Sequence, residues 1–493
     1  MTELFLDGRW VPAAEGGTRS ITCPADGSPV GTVAEASEAD TLAAIDAARR
    51  AFDAGPWPGT PVHERAALLD RVADVLERET TAIARMESLD TGKRVVESEY
   101  DVADVVSVFR HYAAVGAATG ADGLGDRTVD VGREGVVSRV VHEPVGVCAL
   151  VTPWNYPLLQ ASWKVAPCLL AGNTFVLKPS EITPHSTIAL VRALEEAGLP
   201  AGVANLVLGT GPGCGGPLST DPRVDLVSFT GSLAVGRHLM AQGAATVKKV
   251  ALELGGKNPN IVFADADREA ALDNALTAVF LHSGQVCSAG ARLVVEESIA
   301  EAFVDELVER ARLIRPGLPF DDKAQTGSLT SEAHLRKVEA YVAQGIAEGA
   351  RLRCGGARPD DPALDGGYFY LPTVLDRCRS DMSVVQDESF GPVLTVETFT
   401  TEDDAVRTAN DSIYGLAGAV WTGDDEKADR VAARLRMGTV WINDFHPYVA
   451  QAEWGGYKQS GTGRELGRLG LEEYQETKHV WRNTAPAPSG WWG

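Results

Sequence analysis

The chain has 493 residues and carries 45 Lys and Arg against 68 Asp and Glu, which gives a net charge of −23 at pH 7. At roughly 100–200 residues per domain, this length predicts two to four domains. A hydrophobic share of 44% and a charged share of 23% are typical of a folded globular protein and exclude a disordered chain. The acidic balance argues against nucleic acid and anionic membranes as partners, because both bind basic faces, and it suits a cationic small molecule.

The cysteine pattern excludes a disulfide framework and a zinc site. The seven cysteines are odd in number and show neither a CxxC motif nor metal-ligand spacing with histidine. We therefore predict no metal site, and we expect most of these thiols to be small core residues in a reducing compartment, the cytoplasm. The first ten residues also lack the basic region and apolar run that are typical of a secretory signal.

The first third of the chain is predicted to be helical and to end in a hairpin. Residues 36–119 are rich in Ala, Glu and Arg, and their periodicity predicts helices from Ala43 onward, over 66–86 and over 102–114. Residues 125–143 alternate between apolar and polar side chains with glycine interruptions, which indicates a β-hairpin.

The rest of the chain alternates short apolar runs with helix-length segments, which is typical of βαβ units and parallel sheets. The first set of predicted strands is 146–151, 174–177, 205–208, 226–229 and 250–254. The second set is 260–263, 292–295, 393–398, 417–422 and 438–443, with amphipathic helices over 299–314 and 426–436. Two open α/β domains follow from this pattern.

One segment of membrane-spanning length, residues 144–163, carries no charge. It contains three prolines and several polar residues, and lipid would leave its free backbone groups without hydrogen bonds. We therefore interpret it as a buried, irregular segment of a globular protein, and such segments usually line a site.

Cys287 is the first candidate for chemistry. It lies between a helical stretch and an apolar run, and Gly284 and Gly290 flank it. A cysteine is a strong nucleophile only when its thiolate is formed and stabilised. From this window alone, a buried core cysteine is the better interpretation.

Glu253 and Asn155 are candidates for a base and an oxyanion donor. Glu253 ends an apolar run before two glycines, and an apolar environment would raise its pKa toward that of a general base; the alternative is an ion pair with Lys257. Asn155 lies between Pro153 and Pro157, so its amide points in a fixed direction and could stabilise an oxyanion; the alternative is a turn asparagine.

Two further segments suggest a nucleotide site. Residues 229–236 follow a strand and open a helix, with Gly231, Ser232 and Gly236 placed to hold a pyrophosphate at the helix N-terminus; this glycine spacing is a weak signal. The segment 178–181 places Lys178, Ser180 and Glu181 at the carboxyl edge of the sheet, where a carboxylate suits a ribose diol and disfavours a 2′-phosphate. A capping turn and a surface ion pair are the alternatives.

Taken together, these motifs resemble those of the NAD(P)-dependent aldehyde dehydrogenases over nearly the whole chain. The matching segments, in family order, are Trp154-Asn155-Tyr156-Pro157, Trp163-Lys164, Gly172-Asn173-Thr174, Lys178-Pro179-Ser180-Glu181, Phe229-Thr230-Gly231-Ser232, Glu253-Leu254-Gly255-Gly256-Lys257, Gly284-Gln285-Val286-Cys287, Glu388-Ser389-Phe390-Gly391-Pro392-Val393 and Lys458-Gln459-Ser460-Gly461.

The resemblance implies an α/β fold with a Rossmann-like NAD-binding domain (1–123 and 144–255), an α/β catalytic domain (256–470) and a small β oligomerisation element (124–143 and 471–493). A homodimer or homotetramer is expected, and we predict that the terminal Trp491 and Trp492 dock on a neighbouring subunit.

The resemblance also implies roles for individual residues. Cys287 would attack the aldehyde, with the oxyanion held by Asn155 and the Cys287 backbone amide; hydride would pass to nicotinamide, and Glu253 would activate water to hydrolyse the thioester. Lys164 and Glu465 would relay the proton. The cofactor, NAD with NADP left open, would contact Trp154, Lys178, Ser180, Glu181, Gly231, Ser232, Gly236, Leu254, Glu388 and Phe390.

The substrate is expected to be betaine aldehyde or another ω-aminoaldehyde. Tyr156, Trp163 and Trp454 resemble the aromatic walls that this group of enzymes places around a trimethylammonium head, which ring faces bind by cation–π attraction. Residues 441–447 would line the same entrance, with Asp444 as an additional anion; Leu281 replaces a tryptophan found in some plant members. The alternatives are a neutral aliphatic or aromatic aldehyde, a non-catalytic relative, and a cofactor-free cysteine hydrolase using His282.

Overall fold

A computed structural model of the chain describes residues 2–119 and 123–492, and the strands of these residues belong to four sheets. The predicted domains include Met1, residues 120–122 and Gly493, which lie outside the described residues. The strands, numbered in chain order, are β1 (Leu4–Leu6), β2 (Arg9–Val11), β3 (Thr18–Thr22), β4 (Pro29–Ala34), β5 (Arg127–Val129), β6 (Val136–Pro144), β7 (Val147–Val151), β8 (Thr174–Lys178), β9 (Ala204–Leu206), β10 (Leu226–Gly231), β11 (Lys249–Leu254), β12 (Pro259–Val262), β13 (Arg292–Glu296), β14 (Arg351–Cys354), β15 (Thr373–Asp376), β16 (Val393–Phe399), β17 (Ala417–Trp421), β18 (Thr439–Ile442), β19 (Gly461–Thr462) and β20 (Gln475–Asn483).

The α-helices are α1 (Glu38–Ala54), α2 (Val62–Arg78), α3 (Thr80–Thr91), α4 (Val95–Ala118), α5 (Pro157–Ala171), α6 (His185–Glu196), α7 (Gly216–Thr220), α8 (Leu233–Gly243), α9 (Arg268–Phe280), α10 (Glu297–Ala311), α11 (Glu332–Ala347), α12 (Ser383–Gln386), α13 (Glu402–Asn410), α14 (Asp425–Ala432) and α15 (Gly467–Glu472). The helix predicted over 66–86 is two helices, α2 and α3, that meet at Glu79. Thr80 Oγ1 donates to the carbonyl of Glu77 at 2.8 Å, and a side-chain hydrogen bond of this kind competes with the helical ladder.

The larger sheet has eight strands in the order β19-β11-β10-β7-β8-β9-β1-β2. Its five central strands run parallel, as the βαβ pattern predicted, and antiparallel strands close both edges. Strand β8 is entirely buried, because helices cover both faces of a parallel sheet.

The second sheet has seven strands in the order β14-β15-β16-β13-β12-β17-β18, and only β14 is antiparallel to its neighbour. All five runs predicted in this half are strands, so the α/β fold class is confirmed. The sequence pattern did not predict β14, β15 or α11. Strand β14 has the sequence Arg-Leu-Arg-Cys and lies at a sheet edge, where a register shift interrupts the alternation of apolar and polar side chains that identifies a strand.

The predicted hairpin is confirmed as β5 and β6, and the C-terminal β20 pairs antiparallel with β6 over nine residues. Apart from Gln475, every residue of β20 is exposed, and so are Trp491 and Trp492 in the tail. This three-stranded sheet, which we call the arm, therefore presents apolar side chains to solvent in the single chain.

The uncharged segment 144–163 is less irregular than predicted. It contains strand β7 and the first half of α5, so irregular backbone is limited to residues 145–146 and 152–156. The prolines fit this arrangement, because Pro157 occupies the first turn of α5, where a proline costs no helical hydrogen bond. None of the helices in the described part of the chain combines the length and apolar character that a membrane crossing requires.

Candidate active site

The carboxyl ends of four parallel strands share one edge of the larger sheet. In the strand register Val151 lies beside Lys178 and Phe229, and Gly231 lies beside Leu254. The irregular segment 152–156 leaves this same edge between β7 and α5. Ligands of open α/β sheets bind in the crevice at this edge, so the topology places the predicted catalytic and nucleotide-binding segments together.

A strained turn presents Cys287. After α9, His282, Ser283 and Gly284 have successive φ values of 47°, 52° and 73°, all in the left-handed region. Ser283 is held by hydrogen bonds from its Oγ to the carbonyl of Gly327 at 2.6 Å and from its backbone amide to Thr326 Oγ1 at 3.0 Å. Side chains cost energy in this conformation, so the surrounding contacts must enforce it, as they often do at functional sites.

Asn258 fixes the backbone around Cys287, a role that the sequence analysis did not assign. Its Nδ2 donates to the carbonyl of Cys287 at 2.9 Å and to that of Ala289 at 3.0 Å, and its Oδ1 accepts from the amide of Ala417. Asn258 directly follows the matching segment Glu253–Lys257, so its position was available as a signal although its contacts were not.

The side chain of Asn155 is buried and oriented. Its Nδ2 donates to the backbone carbonyl of Gln285, two residues before Cys287, at 2.8 Å. The backbone carbonyl of Asn155 accepts from His282 Nε2 at 3.1 Å. A primary amide has two N–H groups, so one donor is free beside the Cys287 loop. This orientation is the one that an oxyanion donor needs.

Glu253 ends β11 and is 5% exposed, and its Oε1 has no hydrogen-bond partner among the described residues. Burial, and after it the neighbouring carboxyl of Glu465, raise the pKa of Glu253 well above its usual value. A carboxyl group with a raised pKa is a better proton acceptor at neutral pH, so the surroundings favour a base over a simple ion pair with Lys257. The Lys257 ammonium instead lies 3.3 Å from Tyr341 OH.

Lys164 and Glu465 form a buried ion pair close to Glu253. Lys164 Nζ lies 2.5 Å from Glu465 Oε1, and the two side chains are 0% and 5% exposed. Burial raises the pKa of Glu465, and Lys164 opposes that effect. The two residues predicted as a proton relay are thus in contact, although 301 positions separate them.

Cys287 is partly exposed and lines two cavities. Burial, together with the carboxyl groups of Glu253 and Glu388, raises the pKa of its thiol to about 12. At neutral pH the isolated site therefore holds a thiol, and a base or a bound cation must favour the thiolate.

The first cavity is lined by residues predicted to bind a dinucleotide. It contains Trp154, Asn155, Gly231, Ser232, Glu253, Leu254, Cys287, Glu388, Phe390 and Trp454, together with Gln160, Thr230, Gly255, His334 and Lys337, which the sequence analysis did not assign. Ser232 caps α8 by accepting from the amide of Val235, so the positive end of that helix faces the cavity.

Three observations indicate that NAD fits this cavity. The buried oxygens Thr230 Oγ1 and Gln160 Oε1 have no partner among the described residues. A Cβ at Gly255 would collide with the carboxylate of Glu388, so the glycine keeps this wall open. Glu388 Oε1 accepts from the amide of Gly256 at 3.0 Å, and its second oxygen is free for a ribose hydroxyl.

The aromatic side of the first cavity is a cluster of three rings. Trp154 packs edge-on against Phe390 and His334, with 5.2 Å between ring centroids in both cases. His334 Nε2 donates to the carbonyl of Phe390 at 2.7 Å, and Phe390 adopts a φ of 57°. His334 therefore supports the conformation of Phe390.

Lys178, Ser180, Glu181 and Gly236 do not line the first cavity, although the first three lie along the same sheet edge. Lys178 is buried and its Nζ lies 3.8 Å from the carboxylate of the more exposed Glu181, so it is not a surface lysine. Gly236 has a packing role, because its amide donates to the carbonyl of Ser232 and a Cβ there would collide with Leu254.

The second cavity lies on the other side of Cys287 and has aromatic walls. Tyr156, Trp163 and Trp454 line it together with Tyr448, and we call these four residues the aromatic wall. Trp163 packs edge-on against Tyr448 at 5.3 Å and against Trp454 at 5.9 Å between centroids. Leu281 also lines this cavity.

The anionic groups of the second cavity are not those predicted. Asp444 is exposed and does not line the cavity; its Oδ1 accepts from the amide of the adjacent Phe445. Glu97, Asp101 and Asp104 of helix α4 line it instead. Of the segment 441–447 only Phe445, His446 and Pro447 line the cavity; Trp441 is buried behind them.

The position of His282 does not fit a hydrolase in which this histidine activates Cys287. The His282 ring is buried, donates to the backbone of Asn155 and packs edge-on against Tyr156. Burial lowers its pKa well below the usual value, and no hydrogen bond joins it to Cys287 in the described part of the chain.

Sequence comparison identifies the class of protein that this fold and site define. The aldehyde dehydrogenase family model matches residues 10–480, and the chain belongs to that family. It is 55% identical to betaine aldehyde dehydrogenase of Bacillus subtilis (strain 168), with 99% of each chain covered. It is 41% identical to human retinal dehydrogenase 2, covering 97% of this chain and 91% of that protein.

A solved structure agrees with this assignment. The crystal structure of Staphylococcus aureus betaine aldehyde dehydrogenase in complex with NAD⁺ superposes with a TM-score of 0.97 at 48% identity, covering 99% of this chain and 96% of the other. The predicted family and the predicted fold are therefore confirmed, and the chain is an oxidoreductase rather than a binding protein or a hydrolase.

Proposed function

We propose that the protein catalyses the NAD-dependent oxidation of betaine aldehyde to glycine betaine. The observation that carries this proposal is the second cavity, in which the aromatic wall and Asp104 lie beside Cys287. A trimethylammonium group cannot donate hydrogen bonds, so aromatic faces and a nearby carboxylate are the groups that bind it. The names of the B. subtilis and S. aureus relatives support the same substrate.

The charge of Asp104 favours a cationic substrate. Tyr448 OH donates to Asp104 Oδ2 at 2.6 Å, and burial raises the pKa of Asp104 while this hydrogen bond opposes the effect. Asp104 has no cationic partner among the described residues, whereas Asp101 is paired with Lys93 at 2.6 Å. A cation entering the cavity would compensate the Asp104 charge.

Acylation follows from the arrangement around Cys287. The thiolate adds to the aldehyde carbon, and the oxygen takes the negative charge between the free Asn155 N–H and the Cys287 amide. When bound, NAD supplies the oxidant, which removes two electrons and a proton from that carbon. Cys287 then holds a thioester, and its acyl chain extends along the aromatic wall.

Deacylation uses Glu253. Its carboxylate removes a proton from water, the water oxygen bonds to the thioester carbon, and the carbon–sulfur bond breaks to release the acid and the thiolate. Lys164 and Glu465 would carry the proton away from Glu253. The presence of this base favours hydrolysis over transfer of the acyl group to coenzyme A.

The remaining assignments are part of this proposal. The larger sheet with its helices would form the NAD-binding domain (1–123 and 144–255), and the second sheet would form the catalytic domain (256–470). Residues 124–143 and 471–493, which contain the arm, would be the oligomerisation element. The assembly would be a cytoplasmic homodimer or homotetramer. Lys178, Ser180 and Glu181 would hold the adenosine end of NAD, where Glu181 disfavours a 2′-phosphate.

A substrate panel tests the proposal. Initial rates of NADH or NADPH formation would be measured with betaine aldehyde, 4-aminobutanal, propanal and benzaldehyde. We expect the largest kcat/KM with betaine aldehyde and NAD. A preference for propanal or benzaldehyde would reject the cationic substrate while leaving the enzyme class intact.

A further inference from the structure

Two buried hydroxyl groups have no role in the mechanism above: Ser228 contacts the Lys164–Glu465 pair, and Tyr474 contacts Ser228. Ser228 lies in the middle of β10 and is 0% exposed, and Tyr474, which directly precedes β20, is 2% exposed. Ser228 Oγ lies 3.0 Å from Lys164 Nζ, 3.2 Å from Tyr474 OH and 3.5 Å from Glu465 Oε1.

These contacts satisfy the Ser228 hydroxyl completely and give the chain of hydrogen bonds one direction. A serine hydroxyl offers one donor and two acceptor positions. Lys164 can only donate, and Tyr474 OH donates to Ser228, so both acceptor positions are filled. The single Ser228 proton is left for Glu465.

The hydrogen bonds around Glu465 leave one of its two carboxylate oxygens without a partner. Glu465 Oε1 is engaged by Lys164 and Ser228, whereas Glu465 Oε2 and Glu253 Oε1 are buried and have no partner among the described residues. The two carboxyl groups interact, because the charge of Glu465 raises the pKa of Glu253. A proton on either carboxyl group would relieve this repulsion.

We propose that Ser228 and Tyr474 are positioning residues for deacylation, holding Lys164 and Glu465 so that the free Glu465 oxygen takes the proton that Glu253 removes from water. The inference rests on the proposed function. The protons balance when water gives its proton to Glu253, Glu253 gives it to Glu465 and becomes a carboxylate again, and Glu465 releases it to solvent before the next turnover.

The pH dependence follows from the groups around Glu465. Lys164 faces it from α5, Ser228 from β10, Glu253 from β11, Tyr112 from α4, and Glu473 and Tyr474 from the segment before β20. Glu465 must be ionised to accept the proton. The Ser228 hydroxyl donates to the ionised form, so its loss raises the pKa of Glu465 and moves the acidic limb of the deacylation rate to higher pH.

The test uses the full-length variants Ser228→Ala and Tyr474→Phe with Ser219→Ala as control. Ser219 is also buried, and within the described part of the chain its hydroxyl donates to the Gly216 carbonyl in α7 alone. The burst of NADH in the first turnover reports acylation, and the steady-state rate reports deacylation, each followed across pH. For Ser228→Ala we expect an unchanged burst, a steady-state rate lower by about tenfold and an acidic limb about one pH unit higher.

Tyr474→Phe is expected to shift the limb in the same direction by less, and Ser219→Ala to behave as the wild type. An unshifted limb in both variants, or an equal loss of burst and steady-state rate, would overturn the inference. If Ser228→Ala does not fold, Tyr474→Phe decides the question, with Ser228→Thr restoring the hydroxyl. A wild-type protein that forms no NADH from any aldehyde would instead reject the proposed function.

Discussion

At the scale of single residues, the site depends on charges that burial has moved away from their ordinary behaviour. Glu253, Glu465 and Glu388 are all carboxyl groups with raised pKa values around one thiol, and that of Glu388 is raised to about 7 by burial. Glu253 and Glu388 disfavour the Cys287 thiolate until a cation or a proton reduces their negative charge. In the proposed mechanism Glu253 would therefore both accept a proton and hold the nucleophile in its thiol form in the free enzyme.

Replacing Glu253 with Gln separates the two halves of the reaction. Acylation does not need this base, so we expect one rapid burst of NADH, followed by a steady-state rate that is lower by about 10²–10⁴-fold. Stopped-flow absorbance measures the burst, and the mass of the intact protein reports the trapped acyl group. Normal steady turnover would show that another group activates the water.

The same variant tests the pKa of Cys287. Below about 12 the rate of alkylation by iodoacetamide should rise with pH, because only the thiolate reacts. Glu253 is the largest cause of the raised pKa after burial, and the neutral amide of the Glu253→Gln variant removes that repulsion, so the rate curve of the variant should move to lower pH. An identical curve in both proteins would contradict the predicted coupling.

Asp104→Asn tests the recognition of the cation. Loss of the carboxylate should raise KM for betaine aldehyde by about tenfold and leave KM for propanal within about twofold, since only the cation interacts with the charge. Glu99→Gln is the matched control, because Glu99 lies on the same helix and is exposed. Equal changes in KM for both aldehydes would point to a packing defect.

At the scale of elements, the turn before Cys287 is the most constrained segment of the site. Gly284 has a φ of 73°, and a Cβ there would collide with the carbonyl of Gly391 in the segment that carries Glu388 and Phe390. Gly284→Ala should therefore displace Cys287 and lower kcat by at least about 100-fold in a folded protein.

Gly59→Ala is the control for that prediction, because nothing lies within 4 Å of a Cβ at Gly59. Circular dichroism and thermal unfolding establish that both variants fold. Full activity in Gly284→Ala would show that the turn relaxes without moving the nucleophile.

Elements and motifs differ in how far the sequence predicts them. The parallel strands and the residues Cys287, Glu253 and Asn155 were accessible, because each lies in a local pattern with a chemical meaning. Tyr448 and Asp104 were not, because their contact joins positions that are 344 residues apart. Asp444 was predicted to line the substrate entrance but lies outside the second cavity, and its carboxylate accepts from the adjacent Phe445 amide, a local contact that the sequence pattern does not reveal.

At the scale of the molecule, the arm extends from the two α/β units with its apolar residues exposed. Trp481 on β20 is 48% exposed and Val137 on the paired β6 is 43% exposed. Exposed apolar surface of this kind usually marks an interface. We therefore expect Trp481→Glu to weaken the proposed oligomer.

Light scattering after size-exclusion chromatography measures that effect. Leu313→Glu is the control, because Leu313 is 74% exposed after helix α10 and remote in sequence from the arm. An unchanged mass for Trp481→Glu would indicate that this face of the arm does not mediate assembly.

The meeting of the two cavities at Cys287 has a consequence for inhibition. Cys287, Gln160 and Trp454 line both cavities. If NAD fills the first cavity and the acyl chain the second, as proposed, the two would reach the sulfur through different cavities, and the coenzyme would leave without passing the acyl chain. An electrophile with a cationic tail would therefore enter through the aromatic side and alkylate the sulfur while the coenzyme is still bound, and its selectivity would depend on the aromatic wall rather than on the nucleotide pocket.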